Sequence, residues 1–331
     1  MKNNATYGTI KMTALVIVIG LLLAIFTTSV HVYELGIDNL DKKVQLDRHQ
    51  DIINGHAGNP WQYRVLAPYM INVVIKVFRH LNIPHYVAIS FILFRFIQDT
   101  FVLLLSFAYY RKLGLSWSNA LIGMIFMAWG MSYSHYASDL QFNTFFDIIF
   151  YFLAGLCILQ QKYIWIIPIT LLAAFNRETS GLIPLLLFFS IAMLQKESIR
   201  KVLPIFITAV VVYIVVFVGL RYYYGYQELI LPYDIYPGLD LFRYNLFRPI
   251  TWLNLIATLS VIPILAIIGY QKWPRQLQIF FWVIVPIWFL VHAFGAVMAE
   301  TRLLLVPQGM VFIPGALFYL AQVTYPPKSA T

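Results

Sequence analysis

Long runs of apolar residues, separated by short polar segments, follow one another along almost the whole chain. A helix needs about 20 apolar residues to cross a bilayer, and ten runs approach or reach this length. They cover residues 12–30, 86–110, 117–135, 143–160, 163–176, 181–195, 202–220, 251–270, 278–297 and 303–323. The pattern predicts an all-α, polytopic transmembrane protein of about ten spans, with residues 1–331 as a single domain and 12–30 as an uncleaved first span.

One further apolar stretch, residues 66–81, carries a polar stripe. Its polar residues recur at helical spacing: Asn72, Lys76, and Arg79 or His80. Such a stripe is typical of an amphipathic helix that lies in the membrane interface. If the stretch crossed the membrane, every later loop would change sides. We therefore predict an outer loop over residues 31–85 that contains an interfacial helix over 66–81, with spans over 86–323; a short tilted span is the alternative.

The composition agrees with lipid as the main solvent, because 60% of the residues are hydrophobic and 11% are charged. Threading the ten runs from a cytoplasmic start places these residues on the inner side, with Glu197 as the one acid among them: Lys2, Lys11, Arg111, Lys112, Lys162, Lys196, Arg200, Lys201, Lys272, Arg275 and Lys328. Basic loops favour the cytoplasmic side. The net charge of +9 therefore indicates topology rather than nucleic-acid binding, and it predicts that both termini, including the tail 324–331, are cytoplasmic.

Metal and nucleotide motifs are absent from the sequence. The seven histidines are scattered, Cys157 is the one cysteine, and neither a His-Glu-x-x-His motif nor a P-loop occurs. We therefore predict no metal site and no cofactor. A Ser-His-Asp triad stays open, because such triads form in space rather than in sequence.

The first outer loop combines carboxylates with an aromatic, proline-bounded turn. Asp47 and Asp51 are four residues apart and would share a face of a helix, and the turn contains Trp61, Tyr63 and Arg64. This combination suits a binding or catalytic site. An ordinary charged, solvated loop is the alternative for most of the acids.

Two pairs of opposite charges lie where apolar runs meet on the outer side. Arg177 and Glu178 separate the fifth and sixth runs, and Glu300 and Arg302 precede the last run. Arginine at such a boundary forms bidentate contacts with phosphate or carboxylate. Snorkelling to the headgroups is the alternative.

Further charges lie in a late outer loop and inside the membrane. Arg243 belongs to a tyrosine-rich loop that suits sugar and phosphate contacts or an aromatic belt. Arg95 and Asp99 are four residues apart within one span, and Asp147 lies inside another. We predict that these three neutralise one another; a transport path is the alternative.

The arrangement resembles the GT-C superfamily of membrane glycosyltransferases, which use lipid-phosphate-linked sugars. The likeness covers nearly the whole chain as a topology. As motifs it covers only short stretches: Asp47 with Asp51 and Gly55, residues 63–68, Asn176 to Thr179, and Glu300 to Arg302. Glu34, Asp38 and Asp41 compete with Asp47 for the family's acidic position.

The resemblance implies a transferase of the bacterial inner membrane that inverts the configuration of a sugar taken from a polyprenyl phosphate. Asp47, or alternatively Asp51, would be the general base. The remaining substrate-binding candidates are Trp61, Tyr63, Arg64, Arg177, Glu178, Arg243, Glu300 and Arg302. The implied partners are the lipid-linked donor, membrane lipids and other proteins of a membrane complex. A non-catalytic or lipid-binding accessory subunit is the competing hypothesis, and a transporter is a third.

Overall fold

The structure is a computed structural model that describes residues 2–134, 140–194, 199–231 and 234–324, with side chains from residue 11 onward. The predicted outer turn at Asp139, the inner residues Lys196 and Glu197, and residues 325–331 of the tail lie outside the described residues. Within the described ranges the chain is helical and forms no strand, and Asn59 and Leu229 make an isolated bridge.

The α-helices of the described residues are α1 (Lys2–Leu35), α2 (Ile37–Lys42), α3 (Val44–Asn54), α4 (Leu66–His80), α5 (Tyr86–Leu113), α6 (Trp117–Tyr133), α7 (Phe142–Leu159), α8 (Ile166–Ala174), α9 (Leu182–Leu194), α10 (Ile199–Tyr224), α11 (Leu239–Phe247), α12 (Pro249–Leu259), α13 (Ile262–Ile268), α14 (Arg275–Gly295), α15 (Leu305–Pro307) and α16 (Ile313–Thr324). A 3-10 turn, Thr301–Leu304, and a π-helical turn, Gln308–Phe312, join α15 and α16 into one helical segment.

Six helices of the described residues are long and apolar enough to cross a membrane. They are Lys11–Leu35, Tyr86–Leu113, Phe142–Leu159, Ile199–Tyr224, Arg275–Gly295 and Thr301–Thr324. A seventh is reached if α12 and α13, bent by 71° at their junction, form one span. The prediction of a helical membrane protein is confirmed.

The number of full-length helices is smaller than the ten predicted spans. The other three apolar runs form α6, with 17 residues, and the shorter apolar helices Tyr163–Ala174 and Glu178–Leu194. At 1.5 Å per residue, a helix as long as α6 reaches about 25 Å, less than the roughly 30 Å of a hydrocarbon core. Tyr163–Ala174 is shorter still. Hydrophobicity alone does not reveal where a helix breaks.

Burial differs sharply among the six long helices. In Thr301–Thr324, 83% of the residues in the most apolar stretch of 18 are buried. In the most apolar stretch of Ile199–Tyr224, 17% are buried. α5 and α7 pack against each other in the middle of the bundle, and α10 packs against α8 and α9 at its edge. The exposed surface of α10 is apolar, as lipid contact requires.

Helix α4 confirms the helical prediction for the amphipathic stretch, although it ends at His80. Ala67 and Ile71 are buried in a small apolar core that joins α2, α4, α5 and α7. The opposite face exposes Met70, Val73 and Val77. A helix with one face on the protein and an exposed apolar face suits the membrane interface, and this position for α4 remains a prediction.

Close packing between α16 and Trp273 makes a first prediction. A Cβ atom at Gly315 of α16 would lie 2.4 Å from Cζ2 of Trp273, a buried ring. We expect Gly315→Ala to lower the free energy of unfolding by about 1–3 kcal/mol through overpacking. Thermal unfolding in detergent measures this. Gly219→Ala in α10, where nothing lies within 4 Å, is the control and should not destabilise; equal losses for both variants would contradict the packing argument.

Candidate functional site

Asp147, in the second turn of α7, is buried and anchors the short segment that separates α8 from α9. Its Oδ1 accepts a hydrogen bond from Nδ2 of Asn176 at 2.9 Å. Its Oδ2 accepts from Nη1 of Arg177 at 3.3 Å and from Oγ1 of Thr179 at 3.1 Å. Buried charges are destabilising unless they are paired, so this carboxylate and the Arg177 guanidinium depend on each other.

Glu178, next to Arg177 in sequence, pairs with arginines from two other elements. Its Oε2 accepts hydrogen bonds from Arg64 Nε at 3.1 Å and Nη2 at 2.8 Å, and its Oε1 lies 3.9 Å from Nη2 of Arg221 in α10. Burial raises the pKa of Glu178, but the Arg64 guanidinium and hydrogen bonds to the carboxylate outweigh it and hold the pKa below its usual value. Glu178 is therefore a carboxylate at neutral pH.

Arg302 adds a further guanidinium from the segment before the last span. The side chain is buried, and its Nη2 donates to Oε2 of Glu300 at 2.5 Å. Nε and Nη1 are also buried and have no hydrogen-bond partner among the described residues. A buried arginine of this kind has donors left for an acceptor such as phosphate.

Ion pairs join most of these groups, and their charges act on Arg177. Burial lowers the pKa of Arg177, the positive charges of Arg64 and Arg302 lower it further, and the carboxylates of Asp147 and Glu178 raise it. We call Arg64, Asp147, Arg177, Glu178, Arg221, Glu300 and Arg302 the arginine cluster. Its four arginines outnumber its three carboxylates, so it has one excess positive charge.

The aromatic turn of the first loop lies directly against this cluster. Cζ of Arg64 is 5.2 Å from the Trp61 ring centroid, and Cζ of Arg221 is 4.5 Å from that of Tyr63. The Tyr63 hydroxyl donates to the carbonyl of Gly225 at 2.9 Å. Cation–π contacts and this hydrogen bond therefore join the first and the late outer loops beside the cluster.

The two candidate bases both lie on α3, four residues apart on one face as predicted, and both are exposed. Asp51 lines an open cavity of about 250 Å³, whereas Asp47 does not contribute to its lining. The cavity is lined by Arg48, Asp51, Ile52, His56, Ala57, Gly58, Trp61 and Ile230. Trp61 thus has the cavity on one side and Arg64 near its ring.

The other sequence candidates lie apart from the cluster. Arg243 is exposed on α11 and lies 3.9 Å from Asp240 of its own helix. Arg95 and Asp99 are fully buried, with 4.0 Å between Nη1 and Oδ1, and Asp99 also accepts from Thr28. The prediction that Asp147 joins this pair was wrong, because Asp147 binds Arg177 on the neighbouring segment.

Sequence reasoning did not connect Asp147 or Arg221 with the site. One signal was available for Asp147: it lies near the outer end of its span, at the same level of the predicted topology as Arg177. Arg221 directly precedes three tyrosines, and nothing in that pattern points to Glu178. Only the packing of α10 against α8 brings its guanidinium to Glu178.

Buried His49 in α3 makes the stability of this region dependent on pH. Burial lowers the pKa of His49 to about 4 from an ordinary value of 6.5, against the effect of a hydrogen bond with Asn72. Between these values the unfolded chain binds a proton that the folded chain excludes. We therefore expect His49 to contribute a loss of stability as the pH is lowered, about 2 kcal/mol at pH 5.

Thermal unfolding between pH 7.5 and 5 measures this loss. Between pH 7.5 and 5, His49→Gln should lose about 2 kcal/mol less stability than the wild type, while other buried groups, His292 among them, keep their own pH dependence. An unchanged slope in that variant would contradict the assignment to His49.

The described residues contain no group of three or more His, Cys, Asp or Glu side chains that could hold a metal ion. No protein-family model matches the chain, and no curated protein or solved structure shows significant similarity to it.

Proposed function

We propose that the chain is a membrane glycosyltransferase that moves a sugar from a polyprenyl phosphate to an acceptor at the outer face of the membrane. The observation that carries this proposal is Arg302, whose buried Nε and Nη1 have no hydrogen-bond partner among the described residues and whose charge acts on Arg177. Buried arginine donors suit an anionic group with several acceptor oxygens. The phosphate of a lipid is such a group, and it lies at the membrane boundary.

The proposed topology puts the cluster at that boundary. It has ten crossings: the six long helices, the bent pair α12 and α13, and three shorter helices, α6, Tyr163–Ala174 and Glu178–Leu194. Arg177 then lies between two crossings on the outer side, with Glu178 at the start of the second, and Glu300 and Arg302 lie at the start of the last one. The basic loops face the cytoplasm of a bacterial cell, in keeping with the positive-inside rule.

The proposed reaction uses these groups in defined roles. A first-loop carboxylate, Asp47 or Asp51, takes the proton of an acceptor hydroxyl, whose oxygen forms a bond to the anomeric carbon. The bond from that carbon to the phosphate oxygen breaks, and its electron pair leaves with the polyprenyl phosphate. Arg64, Arg177 and Arg302 stabilise the charge that develops on the leaving phosphate.

The transporter alternative requires a wet path past Arg95, Asp99 and Asp147. All three side chains are at most 1% exposed, and each contacts an opposite charge. This burial favours a structural role for them. A non-catalytic accessory subunit shares the same phosphate site, and only an activity measurement separates it from an enzyme.

A reconstituted assay tests the proposal. The purified chain in nanodiscs receives polyprenyl phosphates that carry radiolabelled sugars, with an envelope lipid extract as acceptor. We expect the label to be transferred to the acceptor. Transfer should stop when one of the first-loop acids is replaced by the corresponding amide; the acids to be tested are Glu34, Asp38, Asp41, Asp47 and Asp51. Donor binding without transfer, together with a stoichiometric copurifying protein, would instead support the accessory role; absence of donor binding would refute both.

A further inference from the structure

Two cavities meet beneath the first outer loop, outside the arginine cluster. The open cavity of about 250 Å³ and a smaller one of about 40 Å³ share the lining residues Arg48, Ile52 and Trp61. The smaller cavity extends from these residues to the start of α7. The two cavities therefore adjoin each other, and we call the pair the outer cleft, with the larger cavity as its mouth and the smaller one, beside His49 and Asn143, as its inner end.

The inner end of the outer cleft contains buried polar atoms without partners. His49 and Asn143 both line it and are 6% and 7% exposed. Nε2 of His49 and Oδ1 of Asn143 have no hydrogen-bond partner among the described residues. Buried polar atoms usually have partners, so these two indicate a bound hydroxyl group or a water molecule.

The mouth of the cleft combines an aromatic ring with charges of both signs. Trp61 is half-buried, and Arg48, Asp51 and His56 lie around it. Arg48 and Asp51 carry opposite charges, so at neutral pH the mouth lacks the excess positive charge of the arginine cluster. This pairing suits a neutral ligand with many hydroxyl groups rather than a phosphate.

Local backbone contacts hold the cleft in shape. The side chain of Gln62 is fully buried, donates to the carbonyl of Ile52 at 3.0 Å and accepts from the amide of Ala57 at 2.9 Å. Gly58 allows the late outer loop to approach, because a Cβ atom there would lie 2.6 Å from Ile230. The site is therefore preorganised by residues that do not line its inner end.

We propose that the outer cleft binds one sugar unit of the acceptor, with the ring stacked on Trp61, hydroxyls at Asp51 and Arg48, and one hydroxyl reaching His49 and Asn143. The cavity of about 250 Å³ is below the roughly 300–1,000 Å³ typical of drug-sized ligands, which favours a single ring over an oligosaccharide. This assignment rests on the proposed transferase function, and it selects Asp51 over Asp47 as the carboxylate that reaches the acceptor.

Saturation-transfer NMR on the full chain in nanodiscs tests this inference, with a panel of free hexoses, pentoses and N-acetylhexosamines and their methyl glycosides as probes. We expect at least one probe to bind. Trp61→Ala should weaken its binding about tenfold through loss of stacking, and Asp51→Asn should weaken it measurably. Trp61→Phe should retain most of the binding, which separates lost stacking from misfolding. Asp240→Asn, which changes an exposed carboxylate on α11 that lines neither cavity, is the matched control.

The inference is overturned if no probe binds, or if Trp61→Ala and Asp51→Asn bind the probe as well as Asp240→Asn does. Binding of polyprenyl phosphate is measured on the same samples. Intact donor binding with no saccharide effect refutes the outer cleft alone. Saccharide binding without donor binding refutes the transferase and leaves the cleft as a sugar-binding site.

Discussion

Replacement of Asp147 by alanine is expected to lower the free energy of unfolding by about 3–5 kcal/mol, the usual effect of breaking a buried ion pair from one side. The Arg177 side chain, 8% exposed, would keep its charge without the carboxylate 3.3 Å away. Asn176 and Thr179 would lose an acceptor as well. Unfolding of the purified protein in mixed micelles measures the loss.

Two variants control this prediction. Asp240→Ala removes the same kind of group from an exposed pair on α11 and should change stability by less than about 0.5 kcal/mol. Asp147→Asn combined with Arg177→Gln removes both charges and should be more stable than Asp147→Ala. If Asp147→Ala and Asp240→Ala cost the same, the charges of Asp147 and Arg177 are not interdependent.

Replacement of Arg302 by alanine should weaken the binding of polyprenyl phosphate about 10- to 100-fold. A hydrogen bond to a charged group contributes about 1.5–3 kcal/mol, so the expected loss corresponds to one such bond from the buried nitrogens of Arg302 that lack partners to the phosphate. Arg302→Lys keeps the charge but loses the planar pair of donors, so its affinity should lie between those of the alanine variant and the wild type. Titration of the lipid into nanodiscs, followed by native mass spectrometry, measures the affinities.

The control is Arg79→Ala, which removes an exposed positive charge near the end of α4. It should leave the affinity unchanged within about twofold, because exposed charges are screened by solvent and salt. Equal weakening by both variants would mean that the lipid senses general surface charge. The anion site at Arg302 would then be wrong.

The helices follow closely from the sequence because apolar periodicity reports the local environment of each residue. The run over 86–110 became α5, which starts at Tyr86, and the polar stripe of residues 66–81 became α4. The bend of 71° between α12 and α13 was not predicted, because the whole run over 251–270 is apolar. Ser260, at the junction, has a positive φ of 53°, and Pro263 in the first turn of α13 is the sequence signal of a break that hydrophobicity alone does not use.

The candidate site was only partly predictable. Arg64, Arg177, Glu178 and Arg302 each stood out, because a charge at the end of an apolar run needs a partner or a ligand. Which residue is that partner is not local information. Asp147 was assigned to Arg95 in α5, whereas its partner is Arg177, in the segment after α8. The reason is that helical spacing predicts contacts within a helix and none between helices.

By itself, the sequence determined that the chain is a helical membrane protein, because burial in lipid imposes apolar runs that are legible residue by residue. It also determined which charges are exceptional in such a protein. Only the tertiary structure decided that the arginines of three separate segments meet at Asp147 and Glu178, and that Asp51 rather than Asp47 faces a cavity. Such contacts depend on which helices pack together and at what rotation, and those are properties of the whole bundle.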